Sequence, residues 1–361
     1  MSTIRIPARI IASTKAVIAT PLWQSIVIAN GVLALVATAL TVLSKDANTD
    51  GLDGGRMALS FATLLTLAFA LFTVPAIVDR IRHTTGASGF LDSFVTAFVV
   101  GWSFVFAATP AFLWAILSTG VGPEVWVPAL GSLKLEVLVV DLLVAVAFAS
   151  ISRTGTATAV AYAAISSLVI GPLVALAAVT ALPGVEQKTT TYMMTWPKDQ
   201  TEIDEKTGFP KDPKCPTPST STQTVPQYDM VWAAAPIIPF ALVSESIEPV
   251  MAKFIDPLNM EKSVARLMEQ PKSKAPIDLF STIAFTTRSL QVNQSWEVTI
   301  NECELLAETG NPYPNYPYGP TEAEVIDKTE SGFVAGLTGQ LAIVGAWITG
   351  MLVIPRLRRQ K

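Results

Sequence analysis

Residues 135–182 read LEVLVVDLLVAVAFASISRTGTATAVAYAAISSLVIGPLVALAAVTAL, two long apolar runs joined by Ser152, Arg153, Thr154 and Gly155. Each run can cross a hydrocarbon core of ~30 Å, which takes about 20 helical residues. The joint is too short to hold a domain and carries one cation. The stretch therefore reads as a membrane hairpin with its turn on the cytoplasmic side.

Composition agrees with that reading. Half of the 361 residues are hydrophobic, 15% are charged, and the mean hydropathy is +0.46. Length alone would suggest one large or two ordinary soluble domains, but a soluble core does not require such long charge-free runs. The net charge is only -4, and the acids gather in polar loops, so nucleic acid is not an expected partner.

Working outward toward the N-terminus, apolar runs at 93–117, 57–78 and 22–43 give three further spans. Pro75 is expected to kink or end the second of them. Residues 51–55 read as a flexible acidic turn, 79–86 as a polar link, and 119–132, with Trp126, as a short loop at the opposite interface. Residues 1–20 set Arg5, Arg9 and Lys15 against Ile4, Ile6, Ile10, Ile11, Val17 and Ile18. They form either a basic helix lying in the headgroup layer or a frayed positive flank. The first apolar run lacks a convincing small-x-small cleavage site and is expected to be retained.

On the C-terminal side, residues 183–331 turn polar and rich in proline and threonine. Within them residues 231–243 are apolar but broken by Pro236 and Pro239, too short to span and better suited to an interfacial or re-entrant position. A sixth span, 333–354, ends in a basic tail at 356–361. The expected fold is an all-α polytopic membrane protein of six transmembrane helices, with a large extracytoplasmic insertion between helices 5 and 6. Its segments are an interfacial basic stretch (1–20), helices 1 to 5 (21–182), the insertion (183–331), and helix 6 with its tail (332–361).

Counting lysines and arginines in the short loops sets the orientation. One side collects Arg5, Arg9, Lys15, Arg80, Arg82, Arg153, Arg356, Arg358, Arg359 and Lys361; the other has Lys45, Arg56 and Lys134. Both termini are thus expected in the cytoplasm of a cell carrying the protein in its plasma membrane, with the insertion outside. Both cysteines, Cys215 and Cys303, lie in that insertion, where a disulfide between them can form.

Asp141 is an acid about two turns into the fourth span, costly enough to imply a partner or an aqueous cavity. It reads either as lining a translocation path or proton site, or as a structural acid bonded to a neighbouring helix or snorkelling outward. Lys134 lies on nearly the same helical face two turns away, and Glu136 on another. Gly332, Gly336 and Gly339 open the sixth span with a small-x3-small pattern that lets helices approach closely. His83, the only histidine, stands in polar sequence with no second ligand in view. No phosphate-binding G-x-x-x-x-G-K-[ST], H-E-x-x-H or G-x-S-x-G motif occurs, so the sequence makes no case for an enzyme.

Six spans, a basic N-terminal stretch and an insertion before the last span resemble the permease subunit of an ABC-2-type ABC transporter, in a branch common among actinobacteria. Three stretches carry the likeness: Asp79-Arg80 with Thr84-Thr85-Gly86; Leu135-Glu136-Val137-Leu138 leading into Ser152-Arg153-Thr154-Gly155; and Tyr228-Asp229-Met230-Val231-Trp232 running to Pro239-Phe240-Ala241-Leu242-Val243. Ile238 departs from the pattern, standing where relatives often have Asn. The resemblance implies no cofactor on this chain, with ATP and Mg on a separate partner ATPase, a second permease chain (identical or not) and contact with membrane lipid. It also implies a coupling helix over 80–92, with Arg80, Arg82 and His83, and a second ATPase contact at Arg153. Such permeases export drugs, lipids, glycans or secondary metabolites. A proton-driven secondary transporter using Asp141, and a non-transport protein whose insertion binds a ligand or partner, are the alternatives.

Overall fold

The computed structural model describes residues 11, 14–43, 51–85, 89–192, 195, 218–250, 277–292, 295–302, 304 and 329–359. The chain is mostly helical. Five long helices come first: α1 (Pro21–Leu43), α2 (Gly51–Thr85), α3 (Phe90–Thr119), α4 (Pro123–Ser150) and α5 (Thr154–Val179). The insertion contributes strands β1 (Val185–Tyr192) and β2 (Ser219–Val225), two 3₁₀ turns (Tyr228–Met230 and Trp232–Ile237), the short helices α6 (Pro239–Glu245) and α7 (Leu279–Ser289), and strand β3 (Trp296–Asn301). Helix α8 (Phe333–Arg359) closes the fold.

Five segments are long and apolar enough to cross a membrane: Pro21–Leu43, Gly54–Thr84, Phe90–Thr119, Gly155–Val179 and Phe333–Leu352. The fourth expected span is not among them, because Lys134, Glu136 and Asp141 interrupt its apolar run. Packing nevertheless puts that helix at the centre. Helix α4 touches α2, α3, α5, α6 and α8, and its unbroken series from Leu143 to Phe148 is buried. The peripheral helices instead expose large apolar side chains, among them Val32, Val36 and Leu40 on α1, Phe106 and Leu117 on α3, Ile170 and Val174 on α5, and Val334 and Leu341 on α8. Apolar outside and mixed inside is the arrangement that a hydrocarbon solvent selects.

Four features differ from the sequence reading. Helix α2 continues through Pro75; the Tyr162 hydroxyl of α5 donates to Phe72 O at 2.7 Å, within the turn that the proline ring disturbs. The same helix absorbs the expected turn at 51–55, since Gly55 lets α2 lie close against Thr119 and Val121 at the end of α3. It also absorbs the polar link as far as Thr85. Finally, the loop expected over 119–132 is confined to Gly120–Gly122, with Gly120 at φ 70° capping α3. Pro123 then occupies the first turn of α4, where a missing N–H costs nothing, so it starts a helix rather than breaking one.

At the other end of the chain, residues 14–18 are helical, with Val17 buried and Lys15 exposed. Arg5 and Arg9, Cys215 and Cys303, and the side chains of the basic tail lie outside the described residues. The insertion holds a small sheet that the sequence reading did not place, in the order β2-β1-β3. Strand β1 pairs antiparallel with β2 (Val185 with Val225) and parallel with β3 (Gln187 with Trp296). Lys188 donates to Glu297 Oε1 across the sheet at 2.7 Å, which raises the lysine's pKa above its ordinary value.

The proline-broken segment enters the bundle. Residues 232–245 pack between α4, α5 and α8, and the three glycines of α8 receive them. A Cβ at Gly332 would come 2.9 Å from Pro236 Cγ, one at Gly339 2.5 Å from Ile237 Cδ1, and one at Gly336 would overlap the Pro236 carbonyl. The glycines thus accommodate this segment rather than another long helix. Gly336→Val should cost about 1–3 kcal/mol of stability through overpacking, read as a lowered thermal midpoint in detergent. Gly345→Val, later in α8 where a Cβ meets nothing within 4 Å, should leave the midpoint near wild type.

Candidate functional site

A cavity of about 660 Å³ opens between α4, the end of α6 and the start of α8, lined by Pro128, Gly131, Ser132, Leu135, Glu245, Ser246, Ser331, Phe333 and Val334. Its polar groups are held by its walls. Ser132 donates to Pro128 O at 2.6 Å, the bond one turn back that a helical serine makes, and its Oγ lies 3.1 Å from Ser246 Oγ. Ser331 Oγ donates to Glu245 O at 2.6 Å.

Glu245 is the fixed charge of this region. Its Oε2 accepts from the Gly332 backbone N–H at 3.0 Å and from Arg288 Nε at 3.3 Å, and the Thr287 hydroxyl reaches its other oxygen. Gly332 immediately precedes α8, so the carboxylate satisfies an orphan N–H at the positive end of that helix. Arg288 also reaches Glu248 Oε1 at 3.2 Å. A second buried pair lies beside it. Arg56 Nε of α2 meets Asp278 Oδ2 at 2.7 Å and its guanidinium donates to Glu248 O at 3.0 Å, while Asp278 Oδ1 caps α7 by accepting from Ser281 N at 2.8 Å. These bonds tie α2, α6, α7 and α8 together at the insertion end.

Deeper in the bundle, α4 carries two fully buried carboxyls, Glu136 and Asp141. Among the described residues no donor reaches any of their four oxygens. Asp141 lies against α3, where a Cβ on Gly101 would come 2.5 Å from its Oδ1. Lys134 is exposed and is not its partner. Glu136 lies against the Gln340 side chain of α8; the amide nitrogen of Gln340 donates to Ile237 O at 2.9 Å, in the broken segment.

At the opposite end, the residues expected to couple to an ATPase separate into two kinds. Arg80, His83 and Arg153 are exposed, with His83 Nε2 at 3.8 Å from Asp79. Arg82 is turned inward and buried; it donates to Phe148 O near the C-terminus of α4 and lies over the Phe148 ring, 5.2 Å from its centroid. The expected separate coupling helix over 80–92 is not formed by the described residues: 80–85 end α2, and α3 begins at Phe90. Among the described residues no cluster of three or more His, Cys, Asp or Glu could hold a metal.

Sequence reading counted Arg56 only as a loop cation and passed over Glu245, Asp278 and Arg288. Asp278 preceding Leu279 and Phe280 was a legible helix start; the ion pairs join residues 43 and 222 positions apart and have no local signature. No protein-family model matches this chain, and neither characterised proteins nor solved structures give a match.

Asp278→Ala leaves the Arg56 guanidinium buried and unpaired, and should lower stability by about 3–5 kcal/mol. The double replacement Arg56→Met with Asp278→Leu should recover most of that loss in thermal unfolding of the detergent-solubilised protein.

Proposed function

We propose that this chain is the membrane-spanning permease subunit of an ATP-driven exporter of the ABC-2 type, coupled to a separate cytoplasmic ATPase. In this reading α4 is a sixth span at the centre of the other five, both termini are cytoplasmic, and the insertion lies outside a cell membrane. One observation carries the proposal: the broken segment 232–245 is threaded among α4, α5 and α8 beside a largely apolar cavity to which Ser132, Glu245, Ser246 and Ser331 contribute polar groups. Irregular backbone at the depth of apolar helices is tolerated only where protein buries it or a water-filled cavity receives it. A helical bundle serving only as an anchor has no need of such a segment.

The two ends of the bundle then have distinct tasks. Arg80, His83 and Arg153 meet the ATPase, which supplies ATP and Mg, and a second permease chain completes the pathway. Arg82 transmits rather than docks, because it locks the end of α2 onto the end of α4. A displacement of the α2 end by the ATPase is thereby passed to the helix that walls the cavity at its far end. ATP biases access only through contacts that differ between the two states.

Purification from a mild detergent should bring down a stoichiometric ATPase. Arg80→Glu combined with Arg153→Glu should weaken that association about tenfold or more, corresponding to at least ~1.4 kcal/mol, while Lys188→Glu on the insertion sheet leaves it unchanged. Full retention of the ATPase by the double variant would count against the coupling role.

The buried Asp141, with no donor among the described residues, favours a second reading, a transporter driven by protons. Transport that follows a pH gradient without ATP and is abolished in Asp141→Asn would select it. Transport in Asp141→Asn that still requires ATP would select the first.

A further inference from the structure

Glu136, Gln340 and the Ile237 carbonyl form a buried junction of α4, α8 and the broken segment. Glu136 and Gln340 are both fully buried. The junction holds three side-chain oxygens without a donor among the described residues: both carboxyl oxygens of Glu136 and Oε1 of Gln340. One N–H of the Gln340 amide is already used. Ile237 O sits where the backbone breaks before Pro239 and takes a hydrogen bond from Nε2, and that bond fixes which end of the amide is nitrogen.

An ionised carboxylate held among acceptors, with no cation beside it, is strongly disfavoured in such an interior. A single proton removes the charge and makes Glu136 a donor beside the Gln340 side chain. A metal ion fits poorly, because hard cations take six or more oxygens and the junction offers four, three from side chains and the Ile237 carbonyl. Among the described side chains no neighbouring element supplies a countercharge, and Lys134 of α4 itself is exposed. Helix α5 and the described side chains of α8 carry no Asp, Glu, Lys or Arg, α3 has only Asp92 at its start, and those of α2 (Arg56, Asp79, Arg80, Arg82 and His83) lie toward its two ends. On α6, Glu245 is paired with Arg288.

The route to the junction is laid along α4. Ser132 lines the cavity and stands one turn before Glu136, and side chains four apart share a helical face with their Cβ atoms about 5–6 Å apart. Ser246 extends the series from across the cavity, its hydroxyl 3.1 Å from that of Ser132.

We propose that Glu136 is a proton-binding site, loaded from the insertion-side cavity past Ser246 and Ser132 and held beside the Gln340 side chain. The site goes beyond the permease reading and does not depend on the ATPase. Because Gln340 also holds Ile237, the proton and the conformation of the broken segment are linked: a proton that stabilises one arrangement is bound more tightly by it.

The test is infrared difference spectroscopy of the full-length protein in lipid nanodiscs, between mildly acidic and mildly alkaline buffer. Wild type should show a carboxylic-acid C=O band that appears on acidification and shifts in D₂O. The band should vanish in Glu136→Gln and persist in Asp141→Asn. Gln340→Leu, which removes the polar side chain beside Glu136, should move it toward the position of a carboxylic acid without a hydrogen bond. Ser132→Ala should slow its deuterium shift severalfold. The proposal is overturned by a band that survives Glu136→Gln, by the lack of any titrating and exchanging band in wild type, or by a titration that requires sodium or potassium when N-methylglucamine replaces them. If Glu136→Gln does not fold, a wild-type band left unmoved by Gln340→Leu overturns it equally. Unchanged exchange in Ser132→Ala overturns the entry route.

Discussion

The architecture depends on one constraint, that a backbone broken by proline inside an apolar bundle must find partners among its neighbours. Pro236 and Pro239 cannot donate, and the turn between them leaves carbonyls that a continuing helix would have satisfied. Helix α8 answers in two ways. Gly332, Gly336 and Gly339 remove the side chains that would keep the segment away, and Gln340, next in line, donates to Ile237 O. Either provision alone is insufficient. Close approach without Gln340 leaves the carbonyl unsatisfied, and Gln340 on a bulkier face cannot reach it.

The insertion end meets a related constraint with charge. The start of α8 has unsatisfied N–H groups, and Glu245 at the end of α6 accepts one of them while Arg288 of α7 balances its charge. Arg56 and Asp278 repeat the arrangement between α2 and α7. Ion pairs of this kind contribute less to stability than their geometry suggests, because desolvation offsets much of the attraction. What they provide is position: α6 and α7 are short, and without fixed partners little would hold them at one place on the bundle.

Sequence carried the apolar helices well because hydropathy over 20 residues is a strong signal, and five of the expected spans stand as long apolar helices. It carried the interruption of 231–243 for the same reason, since proline is a local fact. It failed where a residue type has two meanings. Pro75 read as a kink or an end, and the structure keeps it in mid-helix; Pro123 lay in what read as a loop, and the structure uses it as a helix start. Arg82 read as a docking cation, and only the position of Phe148, 66 residues on, shows that it faces inward. The sheet was not legible because β1 and β3, though paired, are separated by about 100 residues of polar chain. Asp141 was singled out for its position in an apolar run; Glu136, nearer the end of that run, was noted only as lying on another face, and its burial beside Gln340, far along the chain, has no local signal.

Helix α4 links these features. Glu136 and Asp141 are five residues apart, about 140° around the helix at 3.6 residues per turn, so one faces α8 and the other α3. A small rotation or tilt of α4 therefore alters both environments together, and neither carboxyl is anchored by a protein donor among the described residues that would resist it. One end of α4 is gripped by Arg82 of α2, and the other walls the cavity. An element fixed at one end, lining a cavity at the other and carrying two unanchored acids between them has the mechanical form needed to connect events on the two sides of the bundle. A helix buried on all sides purely for packing would carry apolar residues at both positions.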